Sequence, residues 1–113
     1  MSLIYKLVSR QAWDAARAEG VFRGAPVDLT DGYIHFSTGP QAHETARRYF
    51  AGLTDTLLVA FDSAALGPAL KWEPSRGGDL FPHLYDSLDP ALALWDRPVG
   101  LDADGVPQLG DLA

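Results

Sequence analysis

The middle of the chain contains an almost entirely apolar segment, Thr56-Leu57-Leu58-Val59-Ala60-Phe61. Apolar side chains on both faces of a strand indicate that both faces are buried, so this segment predicts the central strand of a sheet. The whole chain has 113 residues, a length that fits one domain. We therefore expect residues 1–113 to form a single domain, with its core within about residues 3–100 and a C-terminal hairpin or tail over residues 101–113.

Strands and helices are predicted on the N-terminal side of this segment. Residues 3–8 are rich in β-branched and aromatic side chains and predict a strand. Ser9 and Gly20 are the residue types of a helix N-cap and of a helix C-terminus, so a helix is expected over about residues 10–19. Residues 21–32 contain several Gly, Pro and Asp and predict a short strand at most, followed by turns.

The C-terminal half favours strands. Residues 70–74, 81–88 and 92–99 are strand candidates, with a glycine-containing loop over residues 75–79. Asp102-Ala103-Asp104-Gly105 has the composition of a hairpin turn. Helices early in the chain and strands late indicate an α+β fold with two helices near the N-terminus, rather than a parallel α/β wind.

Composition and charge exclude several classes of protein. The chain has no cysteine, which excludes disulfides, thiolate nucleophiles and iron–sulfur clusters. Its net charge is −6, and residues 51–113 hold three basic and ten acidic side chains. A duplex-binding protein needs a basic stripe, so broad nucleic-acid binding is not expected, although local phosphate contacts near Arg47 and Arg48 remain open.

No targeting or membrane segment is apparent in the sequence. No apolar run approaches the roughly 20 residues of a membrane span. The first residues lack the basic region and apolar stretch of a signal peptide. We therefore expect a soluble, cytoplasmic protein with no membrane partner, whose oligomeric state the sequence leaves open.

Tyr33-Ile34-His35-Phe36-Ser37 is the first candidate functional segment. As a strand it places Ile34 and Phe36 on one face and Tyr33, His35 and Ser37 on the other. An imidazole can hydrogen-bond a sugar hydroxyl and a tyrosine ring can stack on a base, which favours a nucleotide or sugar phosphate as ligand. His35 is therefore a candidate catalytic residue, and Tyr33 and Ser37 are candidate ligand-binding residues. The alternatives are a half-buried structural histidine and a serine that bonds the local backbone.

A second helix is predicted directly after this strand. Thr38 and Gln41 have the spacing of a capping box, and the free N–H groups of a helix start attract phosphate or carboxylate. Thr38 is thus a candidate ligand-binding residue, although capping alone also explains it. Apolar residues at helical spacing predict a face buried against a sheet; they are Ala42, Ala46, Tyr49, Phe50 and Leu53.

Glu73 marks a second candidate site. It follows Trp72 and lies three residues before Arg76, at the edge of the glycine loop. An aromatic neighbour raises the pKa of a carboxylate and an arginine lowers it, and either state suits acid–base chemistry or stabilisation of a positive centre. Glu73 is a candidate catalytic residue and Arg76 a candidate ligand-binding residue; the alternative is a surface ion pair between them.

Phe81, His83 and Tyr85 alternate along a third candidate segment and repeat the pattern of an aromatic beside a histidine. Two strands that each present a histidine between aromatics are more typical of a lined pocket than of a core. His83 is therefore a candidate catalytic residue and Tyr85 a candidate ligand-binding residue. The set His35, His83 and Glu73 lacks the spacing of a metal site, so no metal is predicted.

At these same residues the chain resembles a family called domain of unknown function 952, over about residues 3–100. The segments that carry the resemblance are Asp31-Gly32-Tyr33-Ile34-His35-Phe36-Ser37-Thr38 with Gln41 and Thr45-Ala46, then Leu70-Lys71-Trp72-Glu73, then Leu80-Phe81-Pro82-His83-Leu84-Tyr85, with Trp13 and Gly20 near the first helix.

Members of that family resemble proteins of the ADP-ribosyltransferase fold, in which a split antiparallel sheet binds NAD in a cleft. The resemblance implies that His35 bonds a ribose of NAD, that an aromatic ring stacks on the nicotinamide, and that Glu73 stabilises an oxocarbenium-like centre. Glu73 lies earlier in the chain than the usual glutamate of the fold. The same fold is similar to that of RNA 2′-phosphotransferases, which use NAD to remove a phosphate.

The leading functional expectation is an enzyme that binds NAD, ADP-ribose or a related nucleotide and acts at an anomeric carbon. The alternative is a non-catalytic module that binds a small ligand in a degenerate cleft. A third possibility is an interaction protein whose cleft is only structural. The residues expected to line the pocket are His35, Ser37, Glu73, Arg76, His83 and Tyr85.

Overall fold

The computed structural model describes residues 2–112, with the side chain of Arg76 left out of that description. Within this range three α-helices and seven strands are found. The strands are β1 (Leu3–Ser9), β2 (Ile34–His35), β3 (Thr56–Asp62), β4 (Leu70–Pro74), β5 (Leu80–Leu84), β6 (Trp95–Leu101) and β7 (Pro107–Gln108), and the helices are α1 (Arg10–Glu19), α2 (Pro26–Asp31) and α3 (Gly39–Tyr49).

The strands form two antiparallel sheets. The larger sheet has the order β1-β3-β6-β7 and the smaller has the order β2-β5-β4. The apolar segment in the middle of the chain lies in β3, which pairs with β1 on one side and with β6 on the other. Its residues 57–61 are at most 2% exposed. The prediction of a central, doubly covered strand is therefore confirmed, as is the α+β class; the finer likeness to the ADP-ribosyltransferase fold stays a prediction.

A change of partner at Ser37 joins the two sheets. Phe36 still donates its N–H to the Pro82 carbonyl of β5, at 3.0 Å, while Ser37 exchanges two backbone hydrogen bonds with Tyr5 of β1, at 2.7 and 2.9 Å. For this reason β2 is shorter than the predicted strand over residues 33–37. The switch fixes the small sheet beside β1 and leaves a cleft between them.

Two apolar clusters cover the faces of the large sheet. One cluster packs Trp13 of α1 against Phe22 and Phe61, with ring centroids 5.7 and 6.1 Å apart. The other places Ala42 and Ala46 of α3 against β1 and β3. Both arrangements follow from the alternation of side chains along β1 and β3, whose two faces, between the strand ends, are apolar except at Lys6 of β1.

The predicted apolar face of α3 is only partly correct. Ala42 and Ala46 are buried, but Tyr49 is 62% exposed and Leu53 is 50% exposed. The helix ends at Tyr49, so Leu53 lies in the following turn and no longer follows the helical period. Tyr49 instead reaches the rim of the cleft.

Helix α1 confirms its predicted caps. The Ser9 hydroxyl accepts the N–H of Ala12 at 3.1 Å, and Gly20 has a left-handed φ of 85° that L-residues rarely adopt. For residues 21–32 the short strand is found as a single β-bridge between Phe22 and Leu88, but the predicted turns are wrong over Pro26–Asp31, which forms helix α2. Its first turn is stabilised by the Asp28 carboxylate, which accepts the N–H of Ala25 at 2.7 Å.

The last strands are shifted from their predicted bounds. β5 ends at Leu84, since Leu88 pairs with Phe22 rather than with the sheet. β6 begins at Trp95, because Pro90–Leu92 forms a 3₁₀ turn. The predicted hairpin turn after β6 is confirmed by the pairing of β6 with β7. No helix in residues 2–112 is long and apolar enough to span a membrane.

Truncating Phe61 tests the central position of β3. Phe61 is fully buried and contacts Trp13 and Phe36, so Phe61→Ala should lower the free energy of unfolding by about 3–5 kcal/mol. The measurement is urea unfolding followed by tryptophan fluorescence. The control Leu53→Ala, at a half-exposed position, should change it by less than about 0.5 kcal/mol; equal effects of the two would contradict the assigned core.

Candidate functional site

The register of the small sheet brings the two predicted histidines together. His35 of β2 lies directly opposite His83 of β5, and their ring centroids are 5.5 Å apart. Both rings line the cleft between the small sheet, β1 and α3, which has a volume of about 500 Å³. Tyr33, Ser37 and Phe81 line the same cleft, as the predicted alternation requires. Phe36, predicted on the opposite face, also lines it, and Tyr85, predicted on the face of His83, does not.

Asp28 holds His35 in position. The Asp28 carboxylate lies 2.7 Å from His35 Nδ1 and also accepts the backbone N–H of His35 at 3.1 Å. On the other side of the ring, Asp31 Oδ2 lies 2.9 Å from His35 Nε2. The side chain of Asp28 is buried, whereas that of Asp31 is 41% exposed at the mouth of the cleft. His35 is thus oriented from within the protein and faces a second carboxylate toward solvent.

Lys6 completes a buried ion pair beneath His35. Its Nζ lies 3.1 Å from Asp28 Oδ2 and donates to the His35 carbonyl at 3.0 Å, although Lys6 is only 5% exposed. Burial lowers the pKa of Lys6, and Asp28 partly offsets this. For Asp28, burial acts to raise the pKa, but hydrogen bonds from His35 and the charge of Lys6 outweigh it, and the pKa falls to about 2.

Glu73, on the neighbouring strand β4, hydrogen-bonds the ring of His83. Its Oε1 atom lies 2.9 Å from His83 Nδ1 and accepts the Tyr85 hydroxyl at 2.7 Å. Hydrogen bonds from Tyr85 and His83 lower the pKa of Glu73, and the same bond raises the pKa of Tyr85 to about 12. The expected ion pair with Arg76 involves a side chain outside the described residues.

Tyr33 covers His83. The two rings stack with centroids 4.1 Å apart and an interplanar angle of 22°, and His83 is only 3% exposed. Tyr33 also separates the cleft from a shallower hollow of about 330 Å³, which Tyr85 lines. Tyr85 and Glu73 are not among the cleft-lining residues, and Glu73 contacts the cleft-lining His83 through its Nδ1 hydrogen bond.

Ser37 and Thr38 differ in their placement. Ser37 lines the cleft, and its hydroxyl lies 3.1 Å from the Thr45 hydroxyl on α3. Thr38 caps α3: its hydroxyl accepts the N–H of Gln41 at 3.4 Å, and Gln41 Oε1 accepts the Thr38 N–H at 3.0 Å. Thr38 lies outside the cleft lining, and two donors of the predicted anion site are already used by the capping box.

Sequence reasoning missed three of the charged residues around His35. Asp28 and Asp31 belong to the segment that was expected to form turns, and a turn carries no signal that its carboxylates converge on a histidine. Lys6 was the detectable case, because a charged residue inside an apolar strand must find a buried partner. Its partner lies 22 residues away, which no local pattern reveals.

The arrangement supplies two candidates for proton transfer. At His83 the carboxylate of Glu73 favours a hydrogen on Nδ1 and leaves Nε2 as the reactive position. His35 has a carboxylate at each ring nitrogen, Asp28 at Nδ1 and Asp31 at Nε2. Two such rings across one cleft can act as general acid and general base. No group of three or more His, Asp and Glu side chains in the described part of the chain is arranged to hold a metal ion.

Comparison with known proteins identifies the family. Residues 7–95 match the family described as "Protein of unknown function (DUF952)". The chain belongs to this family. Among curated proteins, none matches it. Membership in DUF952 thus agrees with the resemblance carried by the histidine-containing segments, while the family description names no reaction.

Solved structures of one bacterial protein are similar to this DUF952 chain. The crystal structure of CC0527 from Caulobacter crescentus is 53% identical, covers 96% of this chain and 95% of its own, and has a TM-score of 0.93. The solution NMR structure of CC0527 is 54% identical, with coverages of 97% and 95% and a TM-score of 0.88. Both were structural-genomics targets, and the likeness to the ADP-ribosyltransferase fold stays a prediction.

The depressed pKa of Asp28 predicts a specific pH dependence. Since its ordinary pKa of 3.8 falls to about 2 in the folded protein, the stabilisation by its charge is complete above about pH 4 and is lost as the pH falls toward 2. Asp28→Asn leaves Lys6 buried without a countercharge and should cost about 3–5 kcal/mol near neutral pH. Urea unfolding is measured from pH 6 to pH 2. The difference in the free energy of unfolding between wild type and Asp28→Asn should become smaller as the pH falls.

The matched control for this experiment is Asp104→Asn. Asp104 is exposed in the turn between β6 and β7, so its removal makes the same change in net charge far from Lys6. Its effect on the free energy of unfolding should stay within about 0.5 kcal/mol at each pH. If wild type and Asp28→Asn differ in the free energy of unfolding by the same amount at every pH in this range, the depressed pKa of Asp28 is contradicted.

Proposed function

We propose that the cleft binds NAD, ADP-ribose or a related nucleotide through its sugar, and that the protein acts at the anomeric carbon of that ligand. The observation that carries the proposal is His35, oriented by buried Asp28 and directly opposite His83 in one cleft. The ring is held at Nδ1 by Asp28, and a ligand that reaches Nε2 shares that position with Asp31. Such a group suits the hydroxyls of a ribose.

The size and lining of the cleft support a ligand of this kind. Its volume of about 500 Å³ lies within the range of small-molecule sites, which are mostly apolar with a few placed polar groups. Aromatic residues supply much of the wall, and its polar groups include Ser37 and the hydrogen-bonded pair of His35 and Asp31. Tyr33, already stacked on an imidazole, offers a ring to a base.

The proposed reaction assigns separate roles to the two histidines. His35 hydrogen-bonds a ribose hydroxyl and orients the sugar. Cleavage of the glycosidic bond releases the base, and a hydroxyl or water bonds to the anomeric carbon while its proton passes to His83. Glu73 then acts as a positioning residue, because it bonds His83 and Tyr85 and lies outside the cleft lining. It holds His83 in the tautomer that accepts a proton.

Calorimetry tests the binding step. Wild type is titrated with NAD, ADP-ribose and ADP at millimolar concentrations, and at least one should bind. His35→Ala should weaken the binding by about tenfold or more, because a hydrogen bond in a desolvated site is lost. His43→Ala, at an exposed position on α3, is the matched control and should bind as wild type does. Absence of heat with all three ligands contradicts the proposal.

A non-catalytic binding module is the second candidate function. It is favoured by the position of Glu73, whose carboxylate is bonded behind His83 and does not face the cleft. A cleft without an acidic group aimed at the anomeric carbon can keep affinity and lack turnover. The two candidates therefore differ in rate and not in binding.

Glu73→Gln distinguishes the two candidates. For an enzyme, this variant should lower the rate of nicotinamide release from NAD by about tenfold or more, since His83 loses the carboxylate that sets its tautomer. Affinity should change by less than about threefold. Glu44→Gln, on the exposed face of α3 with Arg47 and Arg48, is the control. No release by wild type, with intact binding in both variants, favours the non-catalytic module.

A further inference from the structure

Asp31 gives the mouth of the cleft a negative charge beside His35. Its Oδ2 atom lies 2.9 Å from His35 Nε2, and its side chain is 41% exposed. It also lines the cleft directly. A ligand group that reaches Nε2 of His35 therefore meets the Asp31 carboxylate in the same position.

The cationic side chain that is described in the cleft lining, Lys6, is already engaged. Lys6 is buried against Asp28 at 3.1 Å and cannot turn toward a ligand without breaking that pair. Lys71 lies next to His83 in the strand register, but it is exposed on β4 and is not among the cleft-lining residues. Among the described side chains that line the cleft, Lys6 is the one lysine or arginine, and its ammonium group is held by Asp28.

Asp31 is not explained by the stability of its own helix. It is the last residue of α2, directly before Gly32, and a carboxylate at a helix C-terminus is repelled by the helix dipole. Its hydrogen-bond partner is a half-buried histidine that already has a carboxylate on its other nitrogen. The residue is thus placed against His35 at an electrostatic cost to α2.

A carboxylate discriminates sharply between a hydroxyl and a phosphate. It accepts a hydrogen bond from a sugar hydroxyl, whereas a phosphate in contact with it brings two like charges together and is repelled. Specificity of this kind comes from repulsion of the wrong ligand as well as from attraction of the right one. The vicinal hydroxyls of a ribose can bond His35 and Asp31 at the same time.

We propose that Asp31 determines the specificity of the cleft: it accepts a ribose hydroxyl beside His35 and excludes a ligand whose ribose carries a phosphate there. This inference rests on the proposed nucleotide binding and names the class of ligand that the site takes, a ribosyl group with free hydroxyls. Asp31 contacts the ligand and takes no part in bond breaking.

The test compares two ligands that differ by one phosphate. ADP-ribose and ADP-ribose 1″-phosphate are titrated calorimetrically into wild type and Asp31→Asn, which keeps the size of the side chain and removes its charge. Wild type should bind ADP-ribose at least about tenfold more tightly. In Asp31→Asn the two affinities should move in opposite directions, a few-fold weaker for ADP-ribose and several-fold tighter for the phosphorylated ligand, so that the gap closes.

Asp104→Asn is the matched control, since it makes the same change in net charge at an exposed turn. It should keep the wild-type difference in affinity between the two ligands. In wild type, higher salt should reduce the difference in affinity between the two ligands, because exposed charges are screened. Equal or tighter binding of the phosphorylated ligand to wild type overturns this inference and leaves the proposed function standing, and so does a gap that Asp31→Asn leaves unchanged. No binding of either ligand overturns the proposed function and this inference together.

Discussion

The buried pair of Lys6 and Asp28 connects three parts of the fold. Lys6 comes from β1, Asp28 from α2, and both also hydrogen-bond His35 on β2. Two charges removed from water are stable only if they are paired and hydrogen-bonded, and each further contact of Asp28, to Ala25 and to the His35 ring, meets that requirement. The position of α2 over the small sheet and the direction of the His35 ring are therefore set by one electrostatic constraint.

The cleft exists because one segment serves two sheets. Between His35 and Ser37 the chain leaves β5 and pairs with β1, so this one segment joins the small sheet to the large sheet. Side chains that alternate toward this junction face an open space of about 500 Å³. His35 and Ser37, on either side of this change of partner, both line the cleft. The segment that joins the two sheets therefore also places polar groups in the cleft.

The two histidines have the same kind of hydrogen-bond partner at Nδ1 and differ in their exposure to solvent. Each has a carboxylate at Nδ1, Asp28 for His35 and Glu73 for His83. His35 reaches solvent next to a second carboxylate, whereas His83 lies under the Tyr33 ring and is almost fully buried. This asymmetry suits one ring to contact a ligand and the other to receive a proton in a drier environment, where electrostatic effects are stronger.

Periodicity and capping in the sequence by themselves determined the central strand β3, both caps of α1, the capping box of α3 and the faces on which His35 and His83 lie. Each of these depends on backbone geometry within a few residues. The helix α2, the end of the apolar face of α3 before Leu53, and the partners of His35 were decided only by tertiary structure. Lys6 and Asp28 are 22 residues apart. A buried charge selects its partner by which strands become neighbours, and that choice is made by the packing of the whole chain rather than by any local pattern.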